Sequence, residues 1–268
     1  MPGTPPTDTL SSLPKIRLDG PIWLASDLHL GGDMPATLEA FLAFLDMAAT
    51  DAASLLLPGD VFDAWVGDDV IDAPPPWLTE VLDGLRGASA RIPVYLGPGN
   101  RDFLMGDHLA KATGTLQLAE SVVIQSDAGD FLLSHGDELC TDDVQYQQFR
   151  TMVRNPAWQA QFLSRPLPER VAIARDLRSR SVAEKSRKAA DIMDVNEDAV
   201  GLALQAAGVT RMVHGHTHRP DRHVFTVDGK VCERWVLPDW DFDDAGNPRG
   251  GWLVVDKDGF AFCDIESE

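Results

Sequence analysis

Short apolar runs recur along the chain, each passing at once into a polar loop. "PIWLASDLHL" reads as a buried strand running into such a loop, and "SLLLPGDVFDAWVGDD", "IPVYLGPGNRDF", "FLLSHGDELCTDD" and "TRMVHGHTHRP" repeat the arrangement. "ATLEAFLAFLDMAA" and "WLTEVLDGLRG" instead set apolar residues at helical spacing. Strands mixed with helices predict an α/β domain. In such sheets the functional sites lie past the C-terminal ends of the strands. Each of the five strands carries Asp, Asn or His to that point, and the five clusters are too unlike one another to be sequence repeats.

From about Val144 to Ala207 the pattern becomes mostly helical, with expected breaks at Pro156, Pro166 and Pro168. Arg150, Arg154, Arg165, Arg170, Arg175, Arg178, Arg180, Lys185, Arg187 and Lys188 make this stretch a basic island. Residues 1–20, rich in Pro, Thr and Ser, read as a flexible N-terminal extension. Residues 21–268 then form the main domain, with the helical stretch of about 144–207 as an insertion. After "VFTVDGKVCERWVLPDW", the tail "GGWLVVDKDGFAF" reads as closing β-hairpins, with the Asp-Gly pairs marking turns.

A chain of 268 residues that is 44% hydrophobic can bury a large core as one domain. Its formal charge of -19 argues against a general nucleic-acid binder, which needs a basic stripe. That charge also suits an acidic solvated surface with no further meaning. Cys140, Cys232 and Cys263 are too few and too scattered for a disulfide framework or a zinc cluster, so the chain reads as reduced and cytosolic. No apolar run approaches the roughly 18 residues of a spanning helix. Any association with a membrane is therefore expected to be peripheral.

The polar loops supply Asp27 and His29, Asp60, Asn100, His135, and the alternating His214, His216 and His218. Carboxylate, imidazole and amide oxygen are the donors that hard and borderline divalent metals prefer. Taken singly, an Asp-x-His or a Gly-Asn is more often a turn or a cap. Five such loops, each after a strand, are a much stronger signal. Two metals about 4 Å apart could share one carboxylate and clamp a phosphoryl group for in-line attack. Alternation along an extended segment leaves all three histidines open as ligands at this stage.

In order, the motifs D-x-H, G-D, G-N-R-D, H-G and G-H-T-H resemble those of the calcineurin-like metallophosphoesterases, from Asp27 to Pro220. Longer strings are similar to one branch, the UDP-2,3-diacylglucosamine diphosphatases of lipid A biosynthesis. They are "GDVFDAWVGDD", "GNRDFLMG", "HGDELCTDDVQYQQFR", "IMDVN", "HGHTHRP" and "VLPDW". The N-terminal extension and "DFDDAGNPRGG" depart from the branch without touching a motif. The resemblance implies an α/β fold, a metallophosphoesterase β-sandwich flanked by helices, with a helical cap insertion. It implies two Mn2+ ions. One is held by Asp27, His29, Asp60 and His218, the other by Asp60, Asn100, His135 and His216, with Asp60 bridging. His214 is then left as a hydrogen-bonding neighbour of the ligands.

Many relatives carry histidine where this chain has Arg101, and that histidine can protonate an alkoxide leaving group. Arginine stays protonated and cannot serve as a general acid near neutral pH. A phosphomonoester, with a second pKa of about 6, leaves without that help. Arg101 therefore suits a phosphoanhydride, where it neutralises charge, and Asp102 is expected to orient it. The activity implied is water attack at the α-phosphorus of UDP-2,3-diacylglucosamine, giving UMP and 2,3-diacylglucosamine 1-phosphate. By the same resemblance Asp143, Ser181, Lys185 and Lys188, with Asn100, Arg101 and His216, contact the substrate. Apolar cap residues such as Tyr146, Phe149, Trp158, Phe162 and Leu163 either line an acyl groove or simply pack the cap.

The expected partners are a lipid-linked UDP-sugar and an anionic membrane surface, with no nucleic acid and no obligate protein partner. The expected location is the cytoplasmic face of a bacterial inner membrane. Two alternatives remain: a phosphoesterase of this fold acting on soluble nucleotides such as dinucleoside polyphosphates, and a scaffold that has lost its metals. Retention of all seven expected ligands argues against the second.

Overall fold

The structure, a computed structural model, describes residues 13–185 and 194–265. Among these residues twelve strands form two six-stranded sheets. One sheet contains β1 (Lys15–Arg17), β6 (Ser121–Gln125), β7 (Phe131–Ser134), β8 (Arg211–His214), β10 (Lys230–Val236) and β9 (Asp221–Val227), in that spatial order. The other runs β12 (Gly259–Asp264), β11 (Gly251–Asp256), β2 (Ile22–Leu24), β3 (Ser54–Leu57), β4 (Val94–Leu96) and β5 (Leu116–Gln117).

Alternation along the strands explains the layering, because successive side chains face opposite sides of a sheet. Ile22, Leu24 and Leu56 meet Phe131, Leu133 and Val213 between the two sheets. Their neighbours Trp23, Leu55 and Leu57 face the other way, onto Phe41, Phe44 and Leu85. Those residues belong to helices α1 (Pro35–Asp51) and α2 (Pro76–Ser89). On the far side Leu132 and Met212 pack against Val200 and Leu204 of α7 (Glu197–Ala207). The result is helix, sheet, sheet, helix. Strands β2, β3 and β4 are mutually parallel, and β7 is parallel to β8.

The expected helical stretch over 144–207 has two uses. Helices α4 (Val144–Val153), α5 (Pro156–Leu163) and α6 (Leu167–Lys185) form a cap, whereas α7 belongs to the outer layer of the sandwich. Pro156 opens α5 behind its Asn155 cap, whose side chain accepts from Ala157 N at 2.8 Å. Pro168 sits in the first turn of α6. Proline breaks one helix and starts the next, since its missing N–H is unneeded in a first turn. A further helix, α3 (Asp107–Thr113), follows β4.

Within the segment expected as an N-terminal extension, Lys15–Arg17 pair in parallel with β6. Ile16 packs against the inter-sheet core, and Arg17 pairs with Asp127 at 3.0 Å. The Asp-Gly pair at Asp228–Gly229 joins β9 to antiparallel β10 with positive φ at both residues, 50° and 75°, as a two-residue hairpin turn requires.

Much of the basic island faces inward. Arg150 binds Asp137 at 2.8 Å and Glu120 at 3.0 Å, and Arg154 binds Glu120 at 2.8 Å. Arg170 is only 2% exposed and donates to Val66 O, Arg165 O and Asp69. Arg178 meets Asp63 at 2.6 Å. These arginines fasten the cap to the loops that follow the strands.

Candidate metal centre

Non-glycine residues rarely take positive φ, because Cβ crowds the backbone. Among the described residues six do so: Asp27 (55°), His29 (49°), Asp60 (53°), His216 (65°), His218 (54°) and the turn residue Asp228. Five of the six are expected metal ligands. Each such residue costs about 1–3 kcal/mol and persists only where its surroundings enforce it. Here bonds between loops do so: His29 N donates to Asp60 O at 3.0 Å and His216 N to Asp27 Oδ2 at 2.9 Å. Glycines allow the close approach. A methyl group on Gly99 would collide with Asp60 Oδ1, and one on Gly215 with Asp27 Oδ2.

The left-handed turns also separate the three alternating histidines. Strand β8 ends at His214, so extended geometry no longer governs His216 and His218. His214 is fully buried between the Gly215 carbonyl, 2.8 Å from Nδ1, and the Arg234 guanidinium, 3.2 Å from Nε2. It lies outside the cluster that the other two join.

Asp27 Oδ1 lies 3.3 Å from His218 Nε2 and 3.9 Å from His29 Nε2, and those two imidazole nitrogens are 3.3 Å apart. Beside this group, Asn100 Oδ1 is 3.1 Å from His135 Nε2 and 2.8 Å from His216 Nδ1. Asp60 stands between the groups, its Oδ2 3.5 Å from His135 Nε2 and 3.9 Å from His29 Nδ1. The structure therefore brings together all seven expected ligands.

Three features fit this set to divalent cations. Asp27 Oδ1 and His29 Nδ1 are buried without hydrogen-bond partners, a state that costs free energy unless something else satisfies them. Asn100 Oδ1 faces Asp60 Oδ2 at 3.2 Å, acceptor to acceptor. Turning the amide over would aim its NH2 at Asp60, His135 and His216; a cation bound among these groups would take the place of such a donor and would need the oxygen. The donor types, carboxylate, imidazole and amide oxygen, match borderline divalent metals.

Charge divides the histidines. Burial lowers His29 and His216 to about 4, so both are neutral and able to ligate. His135 and His218 are also buried, yet Asp60 raises the first to about 10, and Asp239 with Asp27 raises the second to about 9. The charge and hydrogen bond of His135 keep Asp60 ionised despite its burial and the neighbouring Asp27 carboxylate.

Asp102 does not orient Arg101 as expected. Its carboxylate turns inward and accepts from Gly99 N at 2.8 Å, Asp60 N at 3.2 Å and Val61 N at 2.8 Å. It thus ties the Asp60 loop to the Asn100 loop. Burial and then Asp60 push it up to about 7. Arg101 N donates to Asp60 Oδ1 at 2.8 Å, while its guanidinium borders a cavity and forms no ion pair among the described residues.

That cavity, of about 590 Å³, opens from Asn100, His216 and His218 and extends beneath α4, α5 and α6. This size is usual for a small-molecule site. Tyr146, Phe149, Trp158 and Phe162 line it, whereas Leu163 points to solvent. Asp143 lies on its wall and caps α4 by accepting from Tyr146 N at 3.1 Å. Ser181 and Lys185 fall on the last turns of α6, and Lys188 lies outside the described residues.

Several contributors were not singled out as site residues by their sequence context. Trp65, Val66, Leu104 and Arg178 also line the cavity. Asp239 Oδ2 lies 3.3 Å from His218 Nδ1 and is held in turn by Arg249 at 2.7 Å. Asp239 is visible in "VLPDW" as an acid past the end of β10. Tyr146 stacks on His216 with ring centroids 5.9 Å apart and donates its hydroxyl to Asp137 at 2.6 Å.

Residues 20–220 match the family model of calcineurin-like phosphoesterases. A Bordetella pertussis protein named UDP-2,3-diacylglucosamine hydrolase is 61% identical over 94% of this chain and 97% of its own length. Proteins of the same name from Aromatoleum aromaticum and Cellvibrio japonicus are 48% and 46% identical, over 82% and 80% of this chain and 89% of each relative. With its ligand-bearing loops inside the matched span, the chain belongs to the calcineurin-like phosphoesterases.

Proposed function

We propose that the protein hydrolyses the pyrophosphate bond of UDP-2,3-diacylglucosamine, with water attacking the α-phosphorus to release UMP and 2,3-diacylglucosamine 1-phosphate. The observation that carries this reading is the seven-donor cluster at the mouth of an apolar cavity of about 590 Å³. The name shared by relatives up to 61% identical points to the same substrate.

The residues divide the work. Asp27, His29, Asp60 and His218 would hold one Mn2+, and Asp60, Asn100, His135 and His216 the other. Such ions lower the pKa of water and neutralise phosphoryl oxygens. The Arg101 guanidinium offsets charge that builds on the leaving phosphate. That leaving group needs no proton, since a phosphomonoester is stable as an anion at neutral pH. Attack forms the bond from water oxygen to the α-phosphorus and breaks the bond to the bridging oxygen, which departs with its electron pair on the sugar 1-phosphate. Asp143, Ser181, Lys185 and Lys188 contact the substrate, and the aromatic cap residues surround its acyl chains. A soluble nucleotide would leave that apolar wall without a use.

The acyl chains anchor the substrate in a bilayer, so the protein works at the cytoplasmic face of the inner membrane. No helix among the described residues is long and apolar enough to cross a membrane. Val144, Met152 and Leu163 are exposed apolar side chains on the cap, with Arg165 exposed beside Leu163. They suit a lipid surface carrying anionic headgroups.

The test offers the protein UDP-2,3-diacylglucosamine, UDP-glucose and a dinucleoside tetraphosphate, with Mn2+ or with chelator, in ¹⁸O water. Metal-dependent turnover of the first alone, with label in UMP, is expected. Preferential cleavage of the tetraphosphate, or label in the sugar phosphate, would overturn the proposal.

A further inference from the structure

Beside the main cavity lies a second chamber of about 270 Å³. It sits between α3 and the first two cap helices; Leu96, Met105, Leu109, Ala110 and Leu118 give it an apolar floor, and Thr115, Gln117, Glu120, Arg154 and Gln159 a polar rim. Among the described residues Phe103 alone lines both spaces. The Arg154 guanidinium lies 4.8 Å from the Phe103 ring centroid. Arg154 is itself fixed, donating to Gly99 O at 3.0 Å and pairing with Glu120 at 2.8 Å. Of the two side chains at this boundary, the arginine is pinned at both ends of its guanidinium. The phenyl ring is held only by packing and by the cation above it, an attraction that is weak at partly exposed sites.

We propose that the second chamber receives the distal methylenes of an acyl chain too long for the main cavity, and that Phe103 determines which chain lengths the enzyme accepts. This rests on the proposed diacyl substrate. The occupant follows from continuity. An extended chain in the apolar cavity that reaches Phe103 meets, behind one ring, the apolar floor of the second space, while the Arg154–Glu120 pair on its rim already satisfies its own charges. Each methylene transferred from water to such a surface is worth roughly a fourfold gain in binding. The first methylenes past the ring do not offset the cost of turning it aside, so native Phe103 favours chains that end before it.

The test compares kcat/KM across UDP-2,3-diacylglucosamines that differ only in acyl length, for the native chain, Phe103→Ala, Ala110→Phe and the double variant. Phe103→Ala should raise the ratio of longest-chain to shortest-chain kcat/KM about tenfold. Ala110→Phe fills the chamber from α3, away from the metal cluster, and should lower that ratio in the native background and cancel the gain in the double variant. If Phe103→Ala is poorly folded in a thermal melt, Ala110→Phe alone decides. Native turnover with equal losses at all lengths in these variants would overturn the role of the chamber alone. No native turnover at any length would overturn the substrate reading, and the chamber's role with it.

Discussion

Asn100 Oδ1 and Asp60 Oδ2 stand 3.2 Å apart at the end of adjacent parallel strands, neither with a proton to offer the other. Two such oxygens repel unless positive charge lies between them. His135 supplies that charge when protonated, at 3.1 and 3.5 Å from the two oxygens.

It follows that cations and protons compete here. Without metal, His135 and His218 keep their protons up to about pH 10 and about pH 9. A ligating imidazole must be neutral, so binding of Mn2+ expels both protons. His29 and His216, at about 4, have none to lose near neutral pH. Apparent affinity should therefore climb steeply as pH rises from 6 to 8. Titration calorimetry in buffers of different ionisation enthalpy should show release of about two protons per loaded chain.

His214 and His218 sit four residues apart and should respond oppositely to alanine. His218→Ala removes a donor from the Asp27 group and should abolish turnover while leaving the fold intact. His214→Ala leaves Arg234 facing an apolar void; a stability loss of about 1–3 kcal/mol is expected for the lost partner, with folded protein still active. Chemical denaturation paired with activity at saturating Mn2+ separates the two. Comparable activity losses would contradict the placement of His214.

Asp239 touches no expected substrate group, yet it fixes the ring of His218 through Nδ1, and Arg249 fixes Asp239. Carboxylates that orient a ligating histidine commonly contribute about 10–100-fold in metal affinity. Asp239→Asn should weaken Mn2+ binding within that range, read by calorimetry. Excess Mn2+ should restore most turnover, a rescue not expected for His218→Ala.

Arg101 gives a different signature. Its guanidinium is predicted to act on developing charge, so Arg101→Ala should lower kcat by about 10²–10³-fold. Metal content by elemental analysis should stay unchanged, because the metal cluster uses only its backbone N–H, through Asp60. A loss confined to KM would contradict that role.

The five strand-and-loop motifs made the layers and the donor cluster legible, since each places a polar residue just beyond an apolar strand. What was hidden depended on dihedrals and distant partners. Nothing in "SDLHLGG" announces left-handed backbone at Asp27 and His29. Asp102 follows Arg101 directly, which suggested a pair, but its bonds run to main-chain N–H groups on two loops. The arginines of the island find their acids, Asp137, Glu120, Asp69 and Asp63, 13 to 115 residues away in sequence, out of reach of a local pattern. Helix α7 reads like the cap in sequence, and only contact with Leu132 and Met212 assigns it to the sandwich.

The most direct measurement is anomalous diffraction from crystals soaked in Mn2+. Two peaks about 4 Å apart on either side of the Asp60 carboxylate are predicted, one within reach of Asp27, His29 and His218 and the other of Asn100, His135 and His216. A single peak, or manganese bound elsewhere with Asp60 touching none, would contradict a paired-cation centre.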